Sequence, residues 1–296
     1  MLLGFIRKQN LKKFIGVNIM KINAICIVKN EIDIIGESID NALKFCDNIF
    51  IFDNYSDDGT YELLTEKSIK NNRIVIAERS NEIFKNQLRN RIYNRYHNLF
   101  EDTDWWYILD ADELLSEDPK PFLEKADKKK CDHMKIWQAQ FYFTDKDYAN
   151  FDKENLNLPV SDRRRYYRID WKETRFFINR KNNSWPETES GRIPSFCNKI
   201  YRKSPICRHY ANRTPYQIEM RRKIRIDNPY SFFHLKNNNS WIKNSNGLFY
   251  YNEKDGFNLT LMDKIKYYQK ECIYFIKWRV KTVKKLFKMS LSFRLA

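Results

Sequence analysis

The chain has 296 residues, 42% of them hydrophobic and 31% charged, and 54 Lys/Arg against 38 Asp/Glu give a net charge of +16. That balance excludes a disordered or collagen-like chain, and the length suits one large domain or two modest ones. Only 7 glycines are present, far below the roughly 7% of an average chain, which excludes glycine-rich repeats and leaves few places for a phosphate-cradling glycine loop.

In chain order, residues 1–19 mix apolar residues with Arg7, Lys8, Lys12 and Lys13 and contain no long apolar stretch. The sequence therefore predicts an N-terminal extension outside the core, not a secretory signal. Ile22 to Val28 is a β-branched run that reads as a buried parallel strand, and Ile32 to Phe45 has helical periodicity. Asn48 to Phe52 reads as a second strand, stopped by the turn-rich Asp53-Asn-Tyr-Ser-Asp-Asp-Gly59, with a helix from Thr60 to Ile69. Arg73 to Ala77 reads as a third strand, Asn86 to Phe100 as a basic amphipathic helix, and Trp105 to Leu109 as a fourth strand ending on Asp110-Ala-Asp-Glu113. This alternation predicts an α/β fold with a mostly parallel central sheet flanked by helices.

After about residue 130 the alternation fades. His133 to Phe143 reads as a further strand, and Arg163, Arg164, Arg165, Arg168 and Arg175 crowd the next segment. From Asp263 to Ala296 the chain holds a local charge of +8, with apolar residues recurring every three or four positions. That pattern predicts a basic amphipathic helix. No run reaches the roughly 18 apolar residues that a membrane-spanning helix needs. Six cysteines are scattered without a C-x-x-C pair, which argues against zinc ribbons, redox dithiols and a disulfide framework. The cytoplasm is the expected compartment.

In doubly wound sheets ligands bind beyond the carboxyl ends of the strands, and here those ends carry Asn30-Glu31, Asp53 and Asp110 to Glu113. In an extended segment Asp110 and Asp112 point to the same side. Two such carboxylates suit a hard divalent cation, Mg²⁺ or Mn²⁺, that bridges a nucleotide diphosphate. A solvated acidic turn is the plainer alternative. Asp53 is either a hydrogen-bond acceptor for a nucleoside or a turn residue, and Asp57-Asp58-Gly59-Thr60 makes a competent turn and helix cap whatever the function.

The series Val28-Lys-Asn-Glu31, Asp53-Asn-Tyr-Ser-Asp-Asp-Gly-Thr60, Arg89-Asn90 and Leu109-Asp-Ala-Asp-Glu113 resembles, in order and spacing, the N-terminal half of family 2 glycosyltransferases, over residues 22 to about 145. The resemblance implies a GT-A-like (Rossmann-like) core with Asn30, Glu31, Asp53, Asp58, Arg89, Asp110, Ala111 and Asp112 around the nucleotide sugar. It makes Asp112 a metal and diphosphate contact and Asp110 a catalytic residue in contact with the donor or the metal. It also divides the chain into the extension (1–19), a nucleotide-sugar-binding core (20–145), an acceptor-side half (146–235) and a basic helical region (236–296). Arg208-His209-Tyr210 ahead of Arg213-Thr-Pro-Tyr-Gln217 is similar to a segment in bacterial members where a histidine completes the metal site. His209 is thus the third candidate ligand, with a structural histidine as the alternative.

Members that invert at the anomeric carbon use a carboxylate to deprotonate the acceptor. Glu187 is the candidate, because the neighbouring Trp185 offers a surface on which a sugar could stack; a plain loop glutamate is the alternative. The expected reaction is an inverting hexosyl transfer from a nucleotide-diphosphate donor to a hydroxyl of a surface glycan or lipid-linked acceptor. The basic tail is expected either to pack on the domain or to touch an anionic membrane from its inner face. Two rivals stand beside this expectation: a sugar-phosphate nucleotidyltransferase, and a basic nucleic-acid-binding module, which leaves the acidic strand ends without a purpose.

Overall fold

A computed structural model describes residues 20–226, 242–269 and 272–273. The expected N-terminal extension and the tail beyond 273 lie outside them, and 261–269 is helical. Four strands carry the first half: β1 (Ile22–Val28), β2 (Asn48–Asp53), β3 (Ile74–Arg79) and β4 (Trp105–Asp110). All pair in parallel, with β1 between β2 and β4 and β3 outside β2. Helices α1 (Ile35–Ala42), α2 (Thr60–Lys70), α3 (Gln87–Tyr96) and α4 (Lys120–Lys128) cover the two faces.

The alternation of side chains along a strand assigns each layer. Ala24, Cys26 and Val28 share one core with Ile35 and Ile39 of α1, Leu64 of α2 and Leu123 of α4. Ile25 and Ile27 share the other with Leu88, Ile92 and Tyr93 of α3. Burial on both faces is why these strands read as unbroken apolar runs.

The rest of the sheet is β5 (Glu113–Leu115), β6 (His133–Phe141), β7 (Tyr166–Ile178), β8 (Ile200–Tyr201), β9 (Ile206–His209) and β10 (Phe249–Tyr250). The spatial order is β3-β2-β1-β4-β7-β6-β9-β5, with β10 beside β7 and β8 beside β6. The sheet is therefore mixed, not mostly parallel as expected. The cause is β7, a 13-residue strand that runs back along β6 and lies antiparallel to both β6 and β4. β5 closes the far edge antiparallel to β9. The sheet passes without a break across the expected 145/146 boundary. Short helices α5 (Asp145–Ala149) and α6 (Val160–Arg163) fill the turn between β6 and β7, and α7 (Pro215–Ile226) follows β9. No helix among the described residues is long and apolar enough to cross a membrane.

Candidate functional site

The register of β1 gathers the predicted residues. Val28 pairs with Asp53 on one side, and Ile27 pairs with Asp110 on the other. Asp53 and Asp110 thus end strands separated only by β1, at the same end of the sheet. The loops beyond are tied to each other. Asn30, with a left-handed φ of 55°, donates from Nδ2 to Asp57 at 2.8 Å and accepts the Asp57 N–H at 3.0 Å. Asp58 accepts the N–H of Thr60 at 3.0 Å and of Ile32 at 3.1 Å, so it ties the start of α2 to the β1 loop. Gly59 precedes α2 with φ 98°, a conformation that disfavours any side chain.

The Asp53 carboxylate is fully buried; it accepts the Ser56 N–H at 3.1 Å and pairs with Arg79 Nε at 3.2 Å. Arg79 in turn lies over the ring of Tyr61 at 3.9 Å, with Tyr55 at 4.9 Å. Asp53 therefore acts first on its own turn and reaches outward through Arg79.

Asp110 and Asp112 do not lie in one extended segment. Asp110 is the last residue of β4, but Ala111 and Asp112 form a turn before β5, and the two carboxylates meet different partners. Asp110 accepts from Arg89 at 2.9 Å and from Arg175 at 2.8 Å, with Arg192 at 3.5 Å. Arg89 is buried. Arg175 also bonds Glu113 and, at 2.9 Å, Glu173, and Arg192 bonds Glu173 at 2.8 Å. Burial raises the Asp110 carboxyl, but Arg175 and Arg89 outweigh it and hold the group low. Glu113 is fully buried, and burial pushes it up to about 8 despite Arg175. Ala111 is buried in the first core and contributes backbone alone.

Asp112 has a partner set of its own. It accepts from Arg221 at 2.6 Å, with His209 Nε2 at 3.5 Å and Arg213 at 3.9 Å. His209 arrives because it pairs with Glu113 in the β5–β9 ladder. Burial raises Asp112, but Arg221 and His209 hold it well below the usual carboxylate range; burial lowers His209, but Asp112 raises it overall. Arg213, fully buried, bonds Asp33 at 2.8 and 2.9 Å and also bonds Glu31. Glu31 is thus engaged by Arg213, and burial raises its carboxyl against that guanidinium. Here three carboxylates (Glu31, Asp33, Asp112) meet two guanidiniums and one imidazole. One negative charge remains, to be balanced by a proton on His209 or by a cation.

Among the described residues no group of three or more His, Cys, Asp or Glu side chains is arranged to hold a metal ion. Of the expected set of Asp110, Asp112 and His209, Asp112 and His209 lie 3.5 Å apart, while each oxygen of Asp110 accepts from an arginine. An oxygen and an imidazole nitrogen on one side suit a divalent ion whose other positions fall to water and phosphate oxygens.

Glu187 lies exposed on the loop after β7. The expected stacking role of Trp185 is overturned: its side chain is fully buried, packed against Tyr93 and Phe177. Glu173, which sequence reasoning passed over, is the carboxylate joined to Asp110 through Arg175 and Arg192. Also passed over were Arg175 as a site residue, Arg192, Arg213 and Arg221. Apart from Glu173, their acidic partners lie 62 to 182 residues away, and apart from Arg213 in the Arg213-Thr-Pro-Tyr-Gln217 segment no local pattern names them. No protein-family model matches the chain, and no curated protein matches it.

Proposed function

We propose that the protein is a GT-A-type glycosyltransferase, moving a sugar from a nucleotide-diphosphate donor to a hydroxyl of a glycan or lipid-linked acceptor. The observation that supports this most is the convergence at one sheet end of Asp53, Asp110 and Asp112, strand by strand, with His209 brought to Asp112 from nearly a hundred residues away. The order and spacing shared with family 2 glycosyltransferases point the same way. The first four strands also follow the β3-β2-β1-β4 order of a nucleotide-binding sheet, with the acids at the carboxyl ends where ligands bind.

In this function the segment from Asp53 to Gly59 receives the nucleoside, with Arg79 and Tyr55 on its rim. Arg89 and Arg175 fix the Asp110 carboxylate, and Arg192 and Arg221 present cationic nitrogens toward the anionic donor. Asp112 and His209 would hold a divalent ion, which when bound offsets negative charge on the departing diphosphate. A carboxylate takes the proton of the attacking hydroxyl. Glu173 is better linked to the donor side than Glu187, through Arg175 and Arg192.

The test is calorimetric titration of the full chain with a panel of nucleotide-diphosphate sugars, with and without Mn²⁺, followed by assay of transfer to glycan acceptors. One donor is expected to bind more tightly with Mn²⁺ and to release its nucleoside diphosphate on transfer. Absence of binding across the panel sinks the proposal. Formation of nucleotide sugar from nucleoside triphosphate and sugar phosphate would instead mark a nucleotidyltransferase.

A further inference from the structure

Beyond the start of β7 the surface carries an open pocket of about 330 Å³ that none of the strand-end acids lines. Its size is at the lower end of small-molecule pockets, roughly 300–1,000 Å³. Two tyrosines form one wall: Tyr166 and Tyr250 meet edge to face with centroids 5.2 Å apart, and Tyr250 is 62% exposed. Such rings offer an apolar surface with a polar hydroxyl at its edge, which suits the mixed faces of a pyranose.

The charges are unequally used. The acids of the wall are engaged: Asp147 accepts from Thr144 at 2.6 and 2.7 Å, and Glu154 accepts from Arg164 at 2.9 Å and Arg163 at 3.3 Å. Arg165 pairs with Asp162 at 3.3 Å. Lys146 and Lys153 line the same pocket and have no ion pair among the described residues. Two ammonium groups are therefore available for an anion.

The pocket is also wired to the strand ends. Arg164, fully buried behind Asp147 and Glu154, donates from Nε to the backbone oxygen of Arg213, whose guanidinium holds Glu31 and Asp33 beside Asp112. We propose that this pocket binds an acidic sugar unit, a pyranose carrying a carboxylate or a phosphate, within the acceptor. That it belongs to an acceptor rests on the glycosyltransferase function; that it binds an acidic sugar does not.

Titration of the full chain with a glucuronate-containing tetrasaccharide, glucose 1-phosphate, a neutral maltotetraose and inorganic phosphate tests it. At least one acidic sugar is expected to bind, whichever arm it is naming the anionic group, and maltotetraose and phosphate alone are expected to bind at least about tenfold more weakly. Lys146→Ala/Lys153→Ala should weaken the acidic sugar by about tenfold or more, the loss of charge-assisted hydrogen bonds. Tyr250→Ala should weaken it as well. Asp112→Asn should leave this binding unchanged even where transfer is lost, which separates the pocket from the reaction. The proposal is overturned if no acidic sugar binds, if maltotetraose or phosphate binds as tightly, or if the double lysine variant binds normally.

Discussion

Replacing Asp112 by asparagine is expected to leave a folded protein whose sugar transfer falls by roughly 10³-fold or more, a loss of several kcal/mol of charge stabilisation. Asparagine keeps the volume of the side chain and can still accept from Arg221, but it carries no negative charge and offers a divalent ion only a weak amide oxygen. The fold should persist because the neighbours keep other partners. Arg213 retains Asp33 and Glu31, Arg221 retains the Ala211 carbonyl at 3.0 Å, and the Tyr210 N–H still donates to the backbone oxygen of residue 112 at 2.8 Å. The measurement is release of nucleoside diphosphate during transfer, beside a near-ultraviolet dichroism spectrum. Transfer at the wild-type rate by a folded variant would remove Asp112 from the chemistry.

Arg213→Met is expected to be the most destabilising single change at the site, by about 3–5 kcal/mol, because it strips a buried cation from two carboxylates. The guanidinium is fully buried and is the main partner of Glu31, while Asp33 keeps partial contact with water. Glu31, already raised by burial, escapes part of the cost by taking a proton. Adding Glu31→Gln should therefore restore a measurable share of the stability, and the double-mutant cycle isolates the pair. Urea unfolding reads all four proteins. A loss below about 1 kcal/mol in Arg213→Met, the size of an ordinary surface change, would show that the pair does not hold the β1 loop to the Tyr210 turn.

The strand ends were legible because parallel strands buried on both faces leave unbroken apolar runs that must stop where polar side chains begin. Ile22–Val28, Asn48–Asp53 and Trp105–Asp110 each stop that way, so the sequence alone locates Asp53 and Asp110. His209 was legible as a candidate, and the β5–β9 ladder puts it beside Asp112. The same logic hid β7. Tyr167 and Ile169 are buried and Arg168 between them is exposed, an alternation of period two, but its apolar face is diluted by charges. Arg175 is a buried charge within that strand, and burial of a guanidinium is intelligible only once Asp110, Glu113 and Glu173 are seen around it. The extended backbone expected through Asp112 is absent for a related reason. The i, i+2 rule holds within a strand, and the chain leaves β4 at Asp110.

The interleaving of strands has a thermodynamic consequence. β5 and β6, from before residue 145, lie among β7 and β9, from after it, so neither stretch can complete its ladder of backbone hydrogen bonds alone. Separating them would bare the edge of β4 and strand Arg175 away from Asp110. The stretches before and after residue 145 are accordingly one cooperative melting unit, and heat-capacity scans should show them unfold together in a single peak, not in two.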